Sequence, residues 1–107
     1  MEVIYNITAA VDDAVAEAWL EAVRERYLPA LAAAEPVRGA ELIEVLAEEA
    51  QPGSKTFTIQ VRFDDHEALQ RFKERYEHEA ERELADRFSR RYVTFRLHLN
   101  SLHKFSK

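Results

Sequence analysis

Thr56-Phe57-Thr58-Ile59-Gln60-Val61-Arg62-Phe63 alternates without a break: Phe57, Ile59, Val61 and Phe63 fall on one side of an extended chain, and Thr56, Thr58, Gln60 and Arg62 on the other. Successive side chains of a strand point to opposite faces, so this spacing describes a sheet with one apolar and one polar face. Asp64-Asp65-His66-Glu67 follows at once and reads as a capping box that opens a helix. The other elements are arranged around this strand-to-helix junction.

Upstream, Val3 to Ala10 alternates in the same way, with Val3, Tyr5, Ile7 and Ala9 set against Ile4, Asn6, Thr8 and Ala10. Asp12 or Asp13 supplies a helix N-cap, and from Val15 the apolar spacing turns helical through Trp19, Val23, Tyr27 and Leu31. Trp19 is expected in the core, near Ile7, Ile59 or Phe95. Pro29 disfavours helical geometry at Leu28, so the helix is expected to stop or kink there, with Ala30-Leu31-Ala32-Ala33-Ala34 able to add a turn before Pro36 ends it. Ala40 to Ala47 is expected as a second strand, with Leu42 and Leu46 on one side and Ile43 and Val45 on the other. Gln51-Pro52-Gly53-Ser54 then makes a hairpin with the third strand.

The second helix, from about Asp65 to Phe88, keeps Leu69, Phe72, Tyr76, Ala80, Leu84 and Phe88 on one stripe. Glu67–Arg71 and Glu83–Arg87 have the spacing of i,i+4 ion pairs. Between Lys73 and Glu83 only Tyr76 and Ala80 are apolar, so this half either projects into solvent or breaks. Tyr92 to Leu99 alternates once more and is expected to turn Val93, Phe95, Leu97 and Leu99 inward and Tyr92, Thr94, Arg96 and His98 outward.

The order β-α-β-β-α-β is that of a ferredoxin-like plait, an α+β fold with a four-stranded antiparallel sheet and two helices on one face. At 107 residues the chain is expected to be one domain, residues 1–107. Ile4-Tyr5-Asn6-Ile7-Thr8, Ala18-Trp19-Leu20, Tyr27-Leu28-Pro29 and Tyr92-Val93-Thr94-Phe95-Arg96 resemble an uncharacterised family of small bacterial plait proteins, related in shape to dimeric α+β barrels. The resemblance implies that fold and a homodimer, and brings no activity with it.

Composition narrows the classes of function. A charged fraction of 33% with 47% apolar residues is the balance of a folded chain, and the net charge of -5 argues against nucleic acid or an anionic membrane as partner. With no cysteine there is no disulfide and no thiolate chemistry. The cytoplasm is the expected compartment, since no signal-peptide pattern opens the chain and no apolar run is long enough to span a membrane. His66-Glu67 and His78-Glu79 begin like a zinc-protease helix, but neither has a second histidine at i+4, so no metal site is expected. With Gly39 and Gly53 the only glycines, no phosphate loop can form and no cofactor is expected.

The candidate site is the sheet face turned away from the helices, with Asn6, Arg62, Tyr92, Arg96 and His98 as ligand-binding candidates. Arg62 or Arg96 could clamp a small anionic ligand unless Glu41 or Glu44 neutralises them, and His98 could move a proton near neutral pH. The leading expectation is a homodimeric small-ligand-binding or structural module. The alternative is a cofactor-independent α+β barrel enzyme, monooxygenase- or isomerase-like, acting on a small aromatic or carbonyl compound.

Overall fold

The computed structural model describes residues 1–46 and 52–107. Strands β1 (Val3–Asp12), β2 (Gly39–Glu44), β3 (Ser54–Phe63) and β4 (Tyr92–Asn100) form one sheet in the order β2-β3-β1-β4, with every neighbouring pair antiparallel. Two helical arms lie on one face, which is the ferredoxin-like α+β arrangement that the order of elements implies.

The first arm is continuous. A 3-10 turn, Asp13–Val15, leads into α1 (Ala16–Ala22), a π-helical segment Val23–Tyr27 and α2 (Leu28–Ala33). The helix therefore does not stop at Leu28. Pro29 falls in the first turn of α2, directly after the π turn, whose wider spacing accommodates a residue that has no N–H to donate. Neither aspartate caps this arm: Asp12 closes β1 and pairs with Arg91 at 2.7 Å.

The second arm starts on Asp65, whose carboxylate accepts from the Ala68 N–H at 2.8 Å. Ala68 stands where a capping box would place its glutamate, so only half of that motif forms; Asp64 instead pairs with Arg38 at 2.8 Å. The arm breaks at Tyr76 (φ -126°) into α3 (His66–Arg75) and α4 (Glu77–Arg87). Arg71 and Glu83 also leave their expected i,i+4 partners, with Arg71 lying 3.8 Å from Glu35 and Glu83 4.0 Å from Arg26.

The core lies between sheet and helices. Val3, Tyr5, Ile7, Ala9 and Val11 of β1 and Phe57, Ile59, Val61 and Phe63 of β3 are buried there against Trp19, Val23, Leu31, Leu69 and Phe72. Trp19 is 1% exposed and stacks on Phe57 with ring centroids 5.6 Å apart. Its other aromatic neighbour is Tyr92, at 5.7 Å, and not Phe95.

The reason is the register of β4. Tyr5 stands opposite His98, Ile7 opposite Arg96 and Val11 opposite Tyr92, so the polar side of β4 shares the helix-covered face with the core of β1. Val93, Phe95, Leu97 and Leu99 point the other way and are 62%, 71%, 58% and 39% exposed. This reverses the expected facing of the strand.

In β2, Leu42 pairs with Ile59 on the helix side and Ile43 with Thr58 on the open side. The strand ends at Glu44, although the Val45 N–H still donates to the Thr56 carbonyl at 3.0 Å. Ala47 and Gln51, the expected ends of the strand and start of the turn, lie outside the described residues. Gly53 closes the turn at φ 89°, a value that favours glycine.

Candidate functional site

Of the five candidates, the fold leaves Asn6 and Arg62 on the open face and turns Tyr92, Arg96 and His98 to the helix side, where Tyr92 and Arg96 are partly covered and His98 is exposed. The site expected on one face is thus two sites on opposite faces of the sheet.

On the open face, Asn6 is the centre of a neutral network. Its amide nitrogen donates to Thr8 Oγ1 at 3.2 Å, and its oxygen accepts from Thr58 Oγ1 at 3.1 Å and Gln60 Nε2 at 3.2 Å. Thr8 and Thr58 hydroxyls meet at 3.4 Å. Arg62 lies at the rim, 3.2 Å from Glu2, so its charge is met by neither Glu41 nor Glu44. Beside this polar strip runs the apolar row of β4, with Asn6 opposite Leu97 and Thr8 opposite Phe95. Among the described open-face strand positions only Asp12, Glu41 and Arg62 are charged, in a chain that is 33% charged.

Under the helices Arg96 forms the middle of an ion-pair ladder. Its Nη1 lies 2.9 Å from Glu77 and its Nη2 2.5 Å from Glu81, carboxylates one turn apart on α4. The Tyr5 hydroxyl donates to Glu77 and the Tyr92 hydroxyl to Glu81 at 3.0 Å. Burial followed by the Glu77 carboxylate pushes the Tyr5 pKa up to about 12. Burial and then Glu81 raise Tyr92 likewise. Burial opposes the charge on Arg96, but its hydrogen bonds with Tyr5 and Glu81 more than offset this and hold its pKa above the ordinary value. An external anion would have to displace one of two glutamates already bound. Arg96 is a structural cation here, as its two-carboxylate coordination requires.

His98 lies at the exposed end of the same row, its ring 5.3 Å from Tyr5 and its Nε2 3.2 Å from Lys73 Nζ. Partial burial, then Lys73 and His66, lower its pKa below the usual 6.5 despite Glu77. The imidazole is therefore neutral near pH 7 and accepts from the lysine. Among the described residues no group of three His, Asp or Glu side chains is placed to hold a metal.

Tyr27, which the sequence places on the apolar stripe of the first helix, is not among the site candidates. It is 3% exposed, and its hydroxyl, like Trp19 Nε1, has no hydrogen-bond partner among the described residues. Burial, then Glu81, raises its pKa, so the phenol stays protonated. Its position in the π-helical segment is the one local signal, since such segments recur at functional sites. Tyr27 also lies against a groove of about 270 Å³ between the first arm and α4. Ala22, Ala30, Ala80 and Leu84 form its apolar walls, and Arg26, Arg82, Arg87, Glu79 and Glu83 its rim. Three alanines at one helix crossing leave the space.

The sequence matches, over residues 2–102, the family described as Domain of unknown function (DUF4286). A search of curated proteins gave no match. Solved structures share the fold at low identity. HapK from Hahella chejuensis is 18% identical, with a TM-score of 0.68 and 100% of this chain and 98% of that one covered. SnoaB, a cofactor-independent oxygenase from Streptomyces nogalater, is 14% identical, with a TM-score of 0.67 and full coverage of both chains (100% each). A dimeric ferredoxin-like protein from an uncultured marine organism is 13% identical, with a TM-score of 0.72 and 98% and 99% covered. At these identities the likeness is one of fold.

Proposed function

The chain belongs to the DUF4286 family, a domain family of unknown function, and we propose that it acts as a homodimeric module in which two copies stack the open faces of their sheets. The observation that carries this is the row Val93, Phe95, Leu97 and Leu99, standing in solvent on an edge strand. Four apolar side chains in line, on a face nearly free of charge, have the make-up of an interface core. A second copy is the fitting occupant because a two-fold contact needs only a self-complementary surface, and closed dimers are the commonest solution. The marine protein that shares the fold is described as dimeric. In the stacked pair, Asn6, Thr8, Thr58 and Gln60 would face their own copies and enclose a neutral polar strip sealed by the β4 rows. Residues 1–107 would form the single folded unit of each subunit, with the cytoplasm as its compartment.

The chain has no cysteine, which supplies a clean test. Asn6→Cys or Thr8→Cys, near the centre of the face, should give a covalent dimer on mild oxidation, whereas Glu17→Cys on the outer helix surface should not. Oxidised monomers from both face variants would contradict the stacking.

The enzyme reading draws on one neighbour described as a cofactor-independent oxygenase. It needs a base in an enclosed pocket. His98, the only candidate base that the sequence offered, is exposed at the strand end. The module reading is accordingly preferred.

A further inference from the structure

Resting on the stacked dimer, we propose that residues 101–107 of each copy form an arm that docks on the partner's open sheet face. The arm covers the end of that face marked by Val93, Ala10 and Thr56, and so sets the strands of the two sheets antiparallel.

The arm starts at the rim of the open face and is anchored there. The Ser101 N–H donates to the Glu2 carbonyl at 2.9 Å, which carries the pairing of β4 with the start of the chain one residue past Asn100. The Glu2 carboxylate then ties the arm to the sheet, with Lys104 at 3.1 Å on one side and Arg62 at 3.2 Å on the other. Arg62 and Leu99 flank Ile4 in one row across the open face, so the arm continues directly from the apolar row of β4. Chain ends commonly fray, but this one is held at both Ser101 and Lys104 while its apolar side chains find no cover. Leu102 is 81% exposed and Phe105 89%.

The opposite end of the same face offers the matching surface. Val93, Ala10 and Thr56 stand side by side there in one uncharged row, with Val93 62% exposed. Val45, bonded through its N–H to the Thr56 carbonyl, is 41% exposed at that end, and Leu46 is 85% exposed. The arm does not reach this end of its own sheet. From Asn100 to Phe105 an extended chain spans about 17 Å, whereas Asn100 and Val93 lie about 23 Å apart along β4.

Charge decides between the two ways of stacking the sheets. A two-fold axis along the strands would gather both arms, with Lys104 and Lys107 of each copy, at one end of the stack and leave both Val93 ends bare. An axis across the strands places each arm at the far end of the partner's face. Leu102 and Phe105 then meet the uncharged row, and an arm with two lysines and no acidic residue meets a chain of net charge -5.

The test uses the intact protein. Leu102→Ser with Phe105→Ser touches no buried residue, so the far-ultraviolet circular dichroism should be unchanged. The dimer dissociation constant, from sedimentation equilibrium, should rise about tenfold or more over that of the parent chain. In a mixed dimer of isotope-labelled and unlabelled copies, the unlabelled Phe105 ring should show nuclear Overhauser contacts to the methyl groups of the partner's Ala10 and the partner's Val93. A dissociation constant unchanged by the double substitution would overturn the arm and leave the stack standing. Phe105 contacts confined to its own chain, or made instead to the partner's Leu99, would overturn it too. A parent chain that stays monomeric would remove the stack and the arm together.

Discussion

Arg96 stands opposite Ile7 in the β1–β4 ladder, and Ile7 is 2% exposed beneath the helices. A strand has two faces, so a guanidinium beside Ile7 commits Phe95 and Leu97 to the side where no helix lies. This one register places a cation under α4, with two glutamates to meet it, and an apolar row on the open face that the described residues leave exposed.

Removing the cation should be costly. Arg96→Met leaves Glu77 and Glu81 facing each other, each mostly covered, without the charge between them. Breaking such a pair by removing one partner should cost about 2–4 kcal/mol, read as a lower urea midpoint with an unchanged slope. A cost under about 0.5 kcal/mol would mean that the ladder is solvated in solution.

Trp19 tests the core. It is 1% exposed and stacked on Phe57, so Trp19→Ala should cost about 3–5 kcal/mol through lost burial and the cavity left behind. Chemical denaturation measures this directly. A cost under about 1 kcal/mol belongs to a surface position and would contradict the packing.

His98 should titrate below 6.5. Its folded pKa is depressed, so the unfolded chain binds a proton before the folded chain does. The associated stability is present above 6.5 and is lost as pH falls through the folded pKa. Lys73→Met removes one of the neighbouring positive charges, so the His98 pKa should rise, as followed by the imidazole C–H shift in NMR. An unmoved pKa would show that the ammonium does not act on the ring.

How far the sequence could be read depended on what each pattern faced. In β3 the alternation of Phe57, Ile59, Val61 and Phe63 against threonines, Gln60 and Arg62 named both faces correctly, because the helices cover its apolar side. In β4 the same alternation named the faces in reverse. Val93, Phe95, Leu97 and Leu99 are as regular as any core strand, and periodicity alone does not say whether helices or another chain will cover them. The signal that could have decided it lay elsewhere: Glu77 and Glu81, one turn apart on the stripe of Leu84, needed a buried cation, and Arg96 supplies it. The break at Tyr76 was legible as a thinning of apolar residues along the helix. The turn after Pro29 was legible in the alanine run, but the π turn before it was not, since a π turn has no composition of its own.

The central claim is that the β4 row is covered by a second copy. Sedimentation equilibrium across the micromolar range measures it most directly, paired with Phe95→Glu, which puts a charge in the middle of the row without touching the helix-covered core. The parent chain should sediment at twice 12.4 kDa and Phe95→Glu at 12.4 kDa, with the same far-ultraviolet circular dichroism. A parent chain that stays at 12.4 kDa throughout that range would contradict the account.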